Sequence, residues 1–253
     1  MSAVESRFSA YGVQVKEPSA VEPSPPTRWE QQVVGERWTF YTERFDVMTA
    51  EGADLEGEAR FVDAMAQRGS AVLDAGCGTG RVAAGLVRMG HQAIGVDKDQ
   101  GLIDIATGRY PGVPYLTCDL LLLTPERLQA AGGPPAFDII ALPGNVLVYL
   151  APGSERRLLT VLTGLLRPAG RIVAGFATDR DYGPAQLMLD AAAVGLTVEH
   201  RFASWHLDPW TETSDWIVVV LRAPGAGQSG AEGTSWPAAT AWPAPSSDDD
   251  EKC

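Results

Sequence analysis

Three glycines at alternate positions, in Asp74-Ala75-Gly76-Cys77-Gly78-Thr79-Gly80-Arg81, follow a short apolar run that ends in an acid. Glycine suits places where the backbone needs positive φ, or where a ligand must approach it with no Cβ between. The helical pattern that begins near Thr79 sets free N–H groups and a weakly positive end beside the loop. That combination suits a nucleotide-like ligand. Gly78-Thr79-Gly80-Arg81-Val82-Ala83 also fits the dinucleotide pattern G-x-G-x-x-A, with Asp97 downstream near the place where an acid takes the ribose in NAD enzymes. Alone, the pattern leaves the nucleotide undecided.

The elements that must hold this loop alternate along the chain. Apolar runs at Ala71–Ala75, 92–96, 115–118, Phe137–Leu142 and 171–176 read as strands. Amphipathic stretches at 79–89, 100–107, Pro125–Ala130, 153–166 and 183–194 read as helices between them. Alternation of this kind predicts a parallel sheet with helices on both faces. The end departs from it: runs at 197–205 and 214–222 are joined across the loop Leu207-Asp208-Pro209-Trp210, so they must pair antiparallel. Ahead of the first strand lie Trp29, Trp38, Phe40, Tyr41 and Phe45 and two expected helices, 36–49 and 55–68. Residues 1–27 and 223–253 lack periodicity and are expected to be disordered, the second as an acidic tail.

The 253 residues suffice for one sizeable core. A net charge of −12 with no basic run argues against nucleic acid as substrate. Cys77, Cys118 and Cys253 form no paired framework and no metal spacing, which predicts free thiols, no metal and a cytoplasmic location. No apolar run approaches the ~18 residues of a membrane span, so no membrane partner is expected.

Three features separate the loop from a dinucleotide site. Asp74 and Gly76 precede that pattern's first glycine, Asp119 closes the third strand, and the sheet ends in an antiparallel hairpin. Val72-Leu73-Asp74-Ala75-Gly76-Cys77-Gly78-Thr79-Gly80 resembles the first motif of the class I S-adenosylmethionine-dependent methyltransferases, and Gly95-Val96-Asp97 the second. Asp119, Phe137-Asp138-Ile139-Ile140 and Leu166-Arg167-Pro168-Ala169-Gly170 stand where that family has corresponding features. The resemblance spans about residues 28–222. It implies an α/β, Rossmann-like, seven-stranded, mostly parallel sheet in the order 3-2-1-4-5-7-6 with its last strand antiparallel. It also implies one methyltransferase domain over 28–222, with 28–69 as a helical lid, and S-adenosylmethionine as cofactor.

The same resemblance gives the loop residues their roles. Asp97, with Lys98 beside it, would accept the ribose hydroxyls, and Asp119 the adenine amine, with Cys118 and Leu120 nearby. Ala75, Gly76, Cys77, Gly78 and Gly80 would pass along the methionine portion. Asp74 would reach its ammonium, directly or through water, and Asn145 would lie near the sulfonium.

Methyl transfer is an in-line displacement that rests mainly on proximity, worth ~7–11 kcal/mol of barrier. The Asn/Asp-Pro-Pro-Tyr/Phe sequence of amino-methylating relatives is replaced by Leu142-Pro143-Gly144-Asn145. A small-molecule acceptor is therefore the leading expectation. A protein or RNA methyltransferase and a cofactor-binding module without turnover are the alternatives. Candidate bases are His206, Asp179 and Asp181, while His91 and His200 read as structural. Tyr41, Tyr149, Trp205 and Trp210 are the aromatics expected to line an acceptor site.

Overall fold

Ala71–Ala75 (β1) is buried along its whole length, as a strand must be when it has parallel neighbours and a covering on both faces. The computed structural model describes residues 24–225, so most of the two segments expected to be disordered lies outside the described residues. β1 pairs in parallel with Gln92–Asp97 (β2), and β2 in turn with Tyr115–Thr117 (β3). On its other side it pairs with Phe137–Leu142 (β4), which pairs with Leu166–Ala177 (β5). Thr197–Phe202 (β6) and Trp216–Arg222 (β7) close the sheet, β7 running antiparallel to both β5 and β6. The seven strands stand in the order β3-β2-β1-β4-β5-β7-β6, as the sequence predicts.

Arg28–Gln32 (α1), Glu36–Ala50 (α2) and Gly57–Met65 (α3) precede the sheet. Arg81–Arg88 (α4) packs with α3 over one face, where Phe61, Val62, Val82 and Leu86 meet Val72, Ile139 and Val218. Gln100–Arg109 (α5) links β2 to β3. On the opposite face Pro125–Ala130 (α6), Val146–Tyr149 (α7), Glu155–Leu165 (α8) and Pro184–Ala193 (α9) cover Leu73, Ile140, Ile172 and Phe176. Three elements are too short for a periodic pattern to show: α1, α7 and a 3-10 turn at Leu120–Leu122. The helix expected to end at Leu166 stops one residue earlier, because Leu166 already pairs with Phe137.

Asp74 explains how β1 delivers the chain into α4. Gly80, the N-cap of α4, stands at φ +82° and has no side chain to satisfy the free N–H groups of the first turn. The Oδ2 of Asp74 does so from below, accepting from Ala83 N–H at 2.9 Å. The carboxyl is fully buried, and desolvation pushes it up to about 7 against the one favourable backbone bond.

β6 ends at Phe202 rather than 205 because the chain turns inward there. The Trp205 ring lies over Gly175 of β5, where a Cβ would overlap it, and meets Phe61 edge-on at 5.4 Å. Gly175→Ala is expected to lower stability by ~1–3 kcal/mol through overpacking; an unchanged urea midpoint would show that the ring gives way freely. Asp74 gives a pH signature. Between its ordinary value of 3.8 and about 7 the folded chain keeps a proton that the unfolded chain has lost. Stability should therefore fall as pH rises across that window, by up to roughly 1.4 kcal/mol per unit. Asp74→Asn should flatten that slope in chemical denaturation at stepped pH, and an identical slope would place the proton elsewhere.

Candidate active site

The carboxyl ends of β1, β2 and β3 open on a cavity, at the place where ligands bind in sheets of this kind. Gly76, Asp97, Lys98, Asp119 and Leu120 line it. Gly76 stands at φ +77°, and a Cβ there would come within 2.5 Å of Val146, so the loop passes bare backbone against α7. The two oxygens of Asp97 accept from Gly78 N–H and Asp99 N–H, each at 2.9 Å. Each keeps lone-pair capacity for a ligand hydroxyl. Burial pushes this carboxyl above its ordinary value, and the backbone donors oppose the shift. Asp119 Oδ1 caps the 3-10 turn through Leu121 N–H at 2.9 Å. Its Oδ2 is buried without a hydrogen bond, 3.3 Å from Lys98 Nζ. A buried carboxylate oxygen left over at a cavity wall fits a ligand donor such as an exocyclic amine.

A roof of aromatic residues closes over this cavity. Trp29 Nε1 of α1 and Trp38 Nε1 of α2 both donate to Asp99 Oδ2, at 3.1 and 2.9 Å. Asp99 Oδ1 meanwhile caps α5 through Gly101 N–H and Leu102 N–H. Arg28 reaches buried Glu155 at 3.2 Å, and Lys98 reaches Glu30 at 2.9 Å. Trp29 meets Tyr41 and Tyr149 edge-on at 4.7 and 5.6 Å. Asp99 went unnoticed in the sequence; its signal was the second acid of Asp97-Lys98-Asp99.

A second cavity, of about 860 Å³, shares Tyr41, Gly76, Gly144 and Tyr149 with the first. Its further walls include Arg44 and Phe45 of α2, Glu58, Arg81, Asn145 and Trp216. Asn145, at φ +73°, is bolted to the end of β5: its N–H donates to Gly175 O at 3.0 Å and its Oδ1 accepts from Ala177 N–H at 2.8 Å. Burial pushes the Tyr41 phenol up to about 12, so it faces both cavities as a neutral hydroxyl.

Of the other residues named from sequence, Cys77 lines the second cavity, and Ala75 is buried in the core. Gly78 sits under the Tyr41 hydroxyl, and Gly80 accepts from Tyr115 OH at 3.0 Å. Cys118 is buried, 3.5 Å from Arg127, and Asp74 is sealed beneath the loop. Asp74, Ala75, Gly78, Gly80 and Cys118 line neither cavity, and neither do the five candidates for the acceptor side. His206 is 62% exposed against Asp54, and Asp179 and Asp181 are 74% and 87% exposed because the chain after β5 turns outward. Trp205 packs on Gly175, and Trp210 lies under the Arg201 guanidinium at 4.9 Å. His91 is buried against Asp63 at 2.9 Å. Among the described residues no cluster of three His, Cys, Asp or Glu could hold a metal, and no helix is long and apolar enough to cross a membrane.

Residues 72–170 match the family model of a methyltransferase domain. A magnesium-protoporphyrin O-methyltransferase of Rhodobacter capsulatus is 36% identical over 90 residues, 36% of this chain and 38% of that protein. A ubiquinone biosynthesis O-methyltransferase of Agrobacterium fabrum is 33% identical over 108 residues, 42% of this chain and 40% of that protein. The match thus spans about two fifths of these relatives' length. The crystal structure of a TehB-like S-adenosylmethionine-dependent methyltransferase from Corynebacterium glutamicum superposes with a TM-score of 0.66 at 36% identity, covering 72% of this chain and 96% of that one. With its sheet order, its glycine loop and this relative spanned almost end to end, the chain belongs to the class I S-adenosylmethionine-dependent methyltransferases.

Proposed function

We propose that the protein moves a methyl group from S-adenosylmethionine to a small-molecule acceptor by in-line displacement. One observation carries the reading: two cavities meet at Gly76, Gly144, Tyr41 and Tyr149, so a donor in one faces an acceptor in the other. Bound there, S-adenosylmethionine supplies a methyl already activated by its sulfonium. Asp97 takes the ribose hydroxyls, Asp119 Oδ2 the adenine amine, and the bare backbone at Gly76 allows close approach of the methionine end. Asp74 acts through the loop it pins, since it lines neither cavity.

What the chain adds to the reaction is alignment and exclusion of water. The only carboxylate among the described walls of the second cavity is Glu58, held by Arg81 through two bonds of 2.8 and 2.5 Å. With Tyr41 neutral as well, no group there is poised to remove a proton, so the acceptor atom presents its lone pair unaided. The chain's acidity disfavours RNA as the acceptor. Both curated relatives are named for small molecules, magnesium-protoporphyrin and ubiquinone. The free thiols of buried Cys77 and Cys118 fit a reducing compartment such as the cytoplasm.

Asp97→Ala should weaken S-adenosylmethionine binding by at least about tenfold, since charge-assisted hydrogen bonds contribute roughly 1.5–3 kcal/mol each. Calorimetric titration on protein of unaltered melting cooperativity checks this, and equal affinity would sink the assignment. Incubating the protein with methyl-labelled S-adenosylmethionine and a metabolite extract should yield a labelled product by mass spectrometry. Tight cofactor binding with no labelled product from any extract would point to a binding module instead.

A further inference from the structure

The second cavity is lined by hydrogen-bond donors that the protein itself leaves unused. Arg44 makes no ion pair and no hydrogen bond among the described residues, and its Nε is buried without a partner. Its guanidinium is held in place by stacking, 4.3 Å from the Tyr41 ring centroid and 4.4 Å from that of Phe45. The nearby carboxylates are engaged elsewhere: Asp46 pairs with Arg109 at 2.6 Å, Asp54 with Arg60, and Glu58 with Arg81. Trp216, on the same cavity wall, has a buried indole N–H with no acceptor. Asn145 spends its Oδ1 on Ala177 and donates from its side-chain nitrogen to no protein group.

Buried donors without partners, such as the Arg44 Nε and the Trp216 indole N–H, cost free energy unless a ligand completes them. The only anionic side chain on these walls is Glu58, which Arg81 already occupies. Arginine is also the residue whose planar fork matches a carboxylate. From this imbalance we infer that the methyl acceptor is a small organic anion, whose oxygen-bearing group is held by Arg44 and the Trp216 N–H. The inference rests on the methyl-transfer reading above and adds a substrate class to it. It accords with the missing base: an anionic or lone-pair acceptor needs no proton removed. Arg44 is then a specificity-determining residue that selects the acceptor and meets the cofactor cavity only through the Tyr41 ring.

The test separates a metabolite extract on an anion exchanger into retained anions and flow-through, and incubates each with the full chain and methyl-labelled S-adenosylmethionine. Label should enter products from the retained fraction. Arg44→Gln should cut that incorporation by at least about tenfold, the scale of one charge-assisted contact, and Arg44→Lys should restore part of it. S-adenosylmethionine affinity by calorimetry should fall by clearly less than the incorporation in both variants, since Arg44 touches the cofactor cavity only through the Tyr41 ring. Trp216→Phe keeps an aromatic ring but removes the N–H together with the five-membered ring, so a loss of incorporation there with S-adenosylmethionine affinity and melting cooperativity retained supports the proposal even if Arg44→Gln folds poorly. Labelling from the flow-through alone, or a full rate in both Arg44→Gln and Trp216→Phe, would overturn the anion assignment while leaving methyl transfer standing. No labelling from either fraction would overturn methyl transfer and this inference together.

Discussion

A chain that must run bare past its ligand has to be held from behind, and two buried carboxylates do that holding. Asp74 grips the first turn of α4 through Ala83 N–H, and Asp97 grips the glycine loop through Gly78 N–H. Both bonds are formed inside the protein, where a carboxylate accepting a backbone N–H gains more than in water and losing the donor costs more. The glycines make this possible. Gly76 is packed against Val146 and Gly80 against Tyr115, so neither position has room for a side chain that could brace the loop itself. Rigidity is therefore supplied by acids lying one strand apart, each at the end of a buried parallel strand.

The same logic extends outward to the helices ahead of the sheet. Two indoles share one oxygen of Asp99 while its other oxygen caps α5, so α1 and α2 are tied to the strand end that also presents Asp97. Arg28 and Glu155 add an ion pair with side chains only 14% and 6% exposed. Such a pair contributes little net stability over an apolar contact, but losing one partner leaves the other charge stranded. It sets where α1 lies rather than how tightly. The position matters because Trp29 and Tyr41 form the roof between the two cavities, and a shifted roof would disturb the alignment on which displacement depends.

The strand–loop–helix unit, the parallel sheet and its antiparallel end were legible in the sequence because they rest on patterns longer than one turn, while the strand order came from the resemblance to the methyltransferase family. The alternation of apolar runs, the three glycines and the short loop before the last strand each leave few alternatives. The walls of the site were harder to read. α1 and α7 span five and four residues, too few to show a face, yet they carry Trp29 and Tyr149. Asp179 and Asp181 follow the carboxyl end of β5, where ligands gather in such sheets, but the chain swings to solvent there. Trp205 reads equally well as a substrate platform or as packing, and only the bare Gly175 opposite decides for packing. Arg44 did leave a signal: Tyr41, Arg44 and Phe45 fall at i, i+3 and i+4, one face of α2.

Seen together, the two cavities have opposite chemical character across a shared wall. The first is edged by Asp97 and Asp119, two carboxyls against Lys98 alone. The second carries Arg44 and Arg81 against Glu58 alone, with further donors in Trp216 and Asn145. Charges a few ångströms apart in a partly dry site interact several times more strongly than in water. That contrast sorts the two ligands before any shape is matched: a ligand rich in donors is favoured on one side, and one rich in acceptors on the other. A sulfonium at the junction would meet the acceptor-rich partner with an attractive field, while a neutral Tyr41 between them adds no competing charge. On the reading proposed above such a site needs no proton relay of its own, because an acceptor that arrives as an anion can attack the activated methyl without losing a proton.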